Sequence, residues 1–73
     1  MDIKVGDRVL ISKDLGMKLL ELEFDKSDCI QVHNQFAGTI QTAHAIWKDT
    51  DGTKYVTVDL CVEIPAVCCE SLT

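Results

Sequence analysis

Residues 54–64 read KYVTVDLCVEI, and the fold class turns on this stretch. Val56, Val58, Leu60, Val62 and Ile64 share one parity; Tyr55, Thr57, Asp59, Cys61 and Glu63 share the other. Side chains along a strand alternate with period two, so the first set faces a core and the second faces mostly water. Helical spacing would scatter the same residues around a cylinder. Pro65 ends the ladder because it has no backbone donor. Eleven residues is long for a strand, so a bend or tight turn is expected near Leu60–Val62.

Working outward, residues 36–47 form a second strand candidate with mixed parity. Phe36, Ile40 and Ile46 lie on one face with Thr42 and His44, while Ala43, Ala45 and Trp47 lie on the other. Such a pattern suits a bent strand that serves one sheet and then another. Asp51-Gly52 supplies the left-handed geometry of a hairpin loop, so 36–47 and 54–60 are expected to pair antiparallel. Near the start, Arg8 to Ser12 reads as a strand with Val9 and Ile11 inward, after a Gly6-Asp7 turn. From Ala66 the tail reads as one helical turn, then a closing strand near Ser71-Leu72.

The segment 13–35 supports two readings. Leu15, Leu19 and Leu22 have helical spacing, as do Leu20 and Phe24; but Leu20, Leu22 and Phe24 also alternate with Glu21 and Glu23. The favoured reading is an extended arm that is strand-like near 18–24. The whole chain, 1–73, is then one mainly β domain, a small five-stranded barrel.

Composition narrows the function. Twelve acidic residues against seven basic ones give a net charge of −5, and Arg8 is the one arginine. Lys and Arg supply the counterion-release term of nucleic-acid binding, so that partner class is disfavoured. No run approaches the about 20 apolar residues of a membrane helix, and Met1-Asp2-Ile3-Lys4 opens no signal peptide. A cytoplasmic location is expected by default, with Cys29, Cys61, Cys68 and Cys69 as reduced thiols.

The order Val-Gly-Asp-Arg-Val, long loop, Ala-Gly-Thr-Ile, hairpin, Tyr-Val-Thr-Val-Asp-Leu, Ile-Pro and short tail resembles the Src-homology-3-like barrels. The likeness runs through Gly6 to Ile11, Gly38 to Ile46, Tyr55 to Leu60, Cys61 to Ile64 and the tail. It implies a fold and no defined activity. Peptide-binding members of that group present aromatics and acidic loop residues to proline-rich ligands. Here Trp47 and Tyr55 and the acids Glu21, Glu23, Asp25 and Asp28 are present, without a dense aromatic cluster.

No catalytic constellation stands out, and no cofactor is implied. The adjacent pair Cys68-Cys69 lacks the two-to-four-residue spacing of zinc ligands, so it reads as small hydrophobes in packing. Asp49-Thr50-Asp51-Gly52 opens like a calcium loop but has Leu60 and Cys61 where the closing glutamate belongs; it reads as a turn, with no metal. The candidate partner-binding residues are Leu19, Leu20, Glu21, Leu22, Glu23, Phe24 and Asp25 in the arm, with Trp47 and Tyr55. Small size, acidity and a greasy acidic arm point to a non-enzymatic interaction module. Its partner would be a protein with a basic or mixed surface. Accessory or inhibitory proteins of phages and other mobile elements share these traits. The alternatives are a homo-oligomeric structural subunit and a thiol-based metal or redox module using Cys61, Cys68 and Cys69.

Overall fold

A computed structural model describes residues 3–59 and 62–72. Strand β1 (Arg8–Ile11) carries Val9 and Ile11 inward, both fully buried, as the alternation requires. Strands β2 (Ile40–Thr42), β3 (Ala45–Lys48), β4 (Lys54–Thr57) and β5 (Glu63–Pro65) follow. A 3-10 turn at Ala66–Cys68 leads into β6 (Cys69–Ser71), matching the helical turn and closing strand expected for the tail. Helices α1 (Leu15–Glu21) and α2 (Lys26–Phe36) lie between β1 and β2.

The strands form two three-stranded antiparallel sheets, ordered β2-β1-β6 and β3-β4-β5, and neither closes into a barrel. The mainly β, five-stranded barrel expected from the sequence is therefore corrected to a mixed α/β fold with six strands and two helices among the described residues. The physical reason lies in 13–35, which folds as two helices rather than as a strand-like arm. Leu15 and Leu19 of α1 and Cys29 and Phe36 of α2 enter the same core as Val9, Ile11, Val56 and Ile64. Cys29, Val32 and Phe36 recur at the three- and four-residue spacing of one helix face. Leu20, Leu22 and Phe24, whose alternation suggested a strand, are 47%, 45% and 38% exposed. That alternation had no buried face behind it.

Helix α2 starts where Asp25 accepts the Ser27 backbone N–H at 3.2 Å, an N-cap. It ends at Phe36, whose carbonyl accepts from the Thr39 backbone N–H and hydroxyl; Gly38 between them has φ +75°. Phe36 thus closes a helix instead of opening a strand. The expected strand 36–47 is instead β2 and β3, separated at Ala43-His44. Ala43 donates to the Asp7 carbonyl beside β1, while His44 donates to Thr57 on β4. Consecutive residues serve different sheets, so the chain does pass from one sheet to the other here.

The stretch 54–64 is two strands, paired with Val56 opposite Ile64. Val58 donates to the Val62 carbonyl at 3.1 Å, so the expected turn is a full reversal. Leu60 and Cys61 lie outside the described residues. The β3–β4 hairpin turns over Asp49–Thr53, with Gly52 at φ +91° and Thr53 N–H held by the Asp51 carboxylate at 2.9 Å.

Candidate interaction surface

Opposite residues in an antiparallel pair share a face. In the β3-β4-β5 sheet, Ile46, Val56 and Ile64 point to the core, which puts Trp47, Tyr55 and Glu63 on the outer face. Trp47 faces Tyr55 directly across the ladder, and their rings stack with centroids 4.7 Å apart at 16°. The ring of Phe24 meets Tyr55 edge-on, with centroids 6.5 Å apart at 89°. A strip Phe24–Tyr55–Trp47 results. Its ends stay open to solvent, with Trp47 40% exposed.

The chain brings Phe24 there through a tight exit from α1. Leu22 donates to Lys18 and Leu19, Glu23 to Leu20, and Phe24 to Leu19. Glu23 sits at φ +67°, the left-handed position that glycine usually fills after a helix. Asp25 then caps α2, so Phe24 is fixed between two helix ends.

Acids rim the strip. Burial first, then the charges of Asp49, Asp51 and Glu63, push the Tyr55 phenol above its ordinary range. The Thr53 backbone N–H holds Asp51 below the usual carboxylate range, and the Ser27 hydroxyl does the same for Asp25. Next to the strip, Leu19, Phe24, Asp28, Cys29, Val32, Val62 and Glu63 line a hollow of about 260 Å³. Its walls are apolar, and Asp28 and Glu63 are its acids.

Of the residues singled out from sequence, the structure joins Phe24, Trp47 and Tyr55. Leu19 is 5% exposed and belongs to the core. Leu20, Glu21, Leu22, Glu23 and Asp25 are exposed. Leu20 faces the seam between the helices, where it lines a separate groove of about 260 Å³ with Met17, Cys29, Ile30 and His33. Leu22 turns to Val67 and Lys18. By sequence Asp28 reads with the arm's acids and Glu63 with the outward parity of its strand; their convergence with Val32 and Val62 follows from neither reading. The available signal was the helical spacing of Cys29, Val32 and Phe36 together with the cap at Asp25.

Cys68 and Cys69 are held towards the protonated thiol. Burial pushes Cys68 up and Cys69 up to about 12, with the neighbouring Cys68 adding to the latter. Cys29 is buried, with its Sγ 3.7 Å from the Phe24 carbonyl oxygen. No cluster of three His, Cys, Asp or Glu able to hold a metal occurs among the described residues. Cys61 is outside them. No helix among the described residues is long and apolar enough to cross a membrane.

Comparison with protein-family models, curated proteins and solved structures finds no match for this chain. The likeness to Src-homology-3-like barrels accordingly has no fold match behind it.

Proposed function

We propose that this protein is a non-enzymatic interaction module that docks a basic segment of a partner protein on its outer β face. The observation that carries this reading is the Phe24–Tyr55–Trp47 strip, partly exposed and rimmed by Asp49, Asp51 and Glu63. Aromatic rings attract cations through their faces and supply apolar area, and carboxylates complement the partner's charge. The net charge of −5 favours encounter with a basic surface.

The test is a titration of ¹⁵N-labelled protein with a synthetic twelve-residue Arg/Lys/Ser/Gly peptide and its Glu-substituted counterpart. The basic peptide should shift the amides of Phe24, Trp47 and Tyr55 saturably, with affinity falling as salt rises. Equal response to both peptides, or shifts confined to other faces, overturns the proposal.

The α1–α2 seam favours a second reading, a homo-oligomer, because Met17, Leu20 and Ile30 are large, apolar and exposed around one groove. Light scattering across a concentration series tests it. A dimer that Leu20→Asp converts to monomer supports that reading; a monomer throughout removes it.

A further inference from the structure

We infer that the hollow beside Phe24 is the specificity pocket of this docking face and takes an arginine side chain of the partner. The inference rests on the proposed docking of a basic segment and adds which residue anchors it. Three features of the hollow fit that side chain together. Leu19, Cys29, Val32 and Val62 give apolar walls for a long aliphatic stem, which long cationic side chains bury while keeping the head polar. Asp28 from the first turn of α2 and Glu63 from β5 place two carboxylates on the same hollow from different elements. Phe24 supplies an aromatic wall and is shared with the strip, so a chain lying on Tyr55 and Trp47 passes the mouth.

Arginine fits these features better than lysine. A guanidinium is planar, offers five N–H donors and serves two carboxylates at once while stacking on a ring. A lysine ammonium is a compact, strongly hydrated charge that gains less from either. The groove between α1 and α2 has a similar volume but no acid in its lining, which leaves its occupant undefined by charge.

The experiment compares three peptides of one sequence that carry arginine, lysine or citrulline at the basic positions. Binding is followed by the fluorescence of Trp47, the sole tryptophan, and by amide shifts. The arginine peptide should bind at least tenfold tighter than the lysine peptide and shift Val32, Val62 and Glu63. Citrulline, neutral and of similar shape, should lose most of the affinity. The double variant Asp28→Asn/Glu63→Gln should abolish the arginine preference, and its unchanged circular dichroism would show that it folds.

Equal binding of arginine and lysine peptides, with shifts on the aromatic strip alone, overturns the pocket and leaves the docking face standing. Absence of binding by both overturns the docking face itself. Retention of arginine preference in the double variant also overturns the pocket, since the discrimination would then come from elsewhere.

Discussion

Glu23 adopts a conformation that L side chains avoid, because its Cβ crowds the neighbouring carbonyl when φ is positive. Ending α1 there lets Leu22, Glu23 and Phe24 all donate back to the helix's last carbonyls. Glycine meets the same geometry without the clash, at some cost in unfolded-chain entropy. Glu23→Gly should therefore raise stability by about 0.5–1 kcal/mol in urea denaturation. A destabilised variant would mean that the Glu23 side chain contributes more than its backbone costs. Tyr55 offers a second check at this scale, because it is the only tyrosine and its phenolate absorbance is unambiguous. Its folded midpoint should lie above 10, the ordinary value. Ionisation is then easier in the unfolded chain, so this group's contribution to stability is present below pH 10 and is lost as pH rises through the folded midpoint. Asp49→Asn/Asp51→Asn should bring the midpoint down only partway, since burial is the larger cause.

Among the elements, the two helices pack through the core and are also joined by a hydrogen bond. Asp14, at the N-cap of α1, makes no capping bond, and the Gly16 backbone N–H instead donates to His33 Nδ1 of α2 at 3.0 Å. A Cβ at Gly16 would lie 3.1 Å from both the Cβ and Nδ1 of His33. Alanine favours a helix over glycine by up to about 1 kcal/mol, while the displaced ring forfeits a hydrogen bond of similar worth. Gly16→Ala should thus be neutral or destabilising in the native chain and less unfavourable in a His33→Ala background, which removes the ring and its hydrogen bond but keeps the Cβ contact. Thermal denaturation of the four proteins measures that coupling, which additivity would reduce to zero. The helical spacing of Leu15 and Leu19 was legible in the sequence, but as the weaker of two readings, and the contact between the helices was not. A seven-residue helix offers only two buried leucines, Leu15 and Leu19, against the competing alternation of Leu20, Leu22 and Phe24. The longer α2 is mostly polar, and its signal sits in a cap and three spaced residues. Strands β1 and β4 were legible because Val9 and Ile11, and Val56 with Val58, keep strict parity, and the β3–β4 hairpin was legible from Asp51 and Gly52 in its turn. Phe24, Trp47 and Tyr55 were each identifiable as partner-facing, yet their meeting depends on the α1 exit and could not be read from order alone.

At the scale of the whole molecule, helices and both sheets contribute to a single core cluster, so they are expected to unfold together. Leu15 is fully buried and packs with Val9, Ile11, Val56 and Ile64 in that cluster. Leu15→Ala removes three carbons' worth of contact and leaves a void, a change that costs about 2–5 kcal/mol in comparable cores. At about 0.05–0.15 kcal/mol per residue, a 73-residue chain has about 4–11 kcal/mol in all. The substitution therefore consumes a large share of the total, although it lies in a helix and not in a strand. Helical signal at 222 nm and fluorescence of Trp47, which sits on the outer face of β3, report opposite parts of the fold. In urea the two should give one coincident transition in the native protein, and Leu15→Ala should move both midpoints down together. Loss of helical signal at a lower midpoint, with the Trp47 transition left in place, would show the helical pair to be a separable cover over an independent β core. That outcome would also remove Phe24, and with it one end of the docking strip, from the part of the molecule that stays folded.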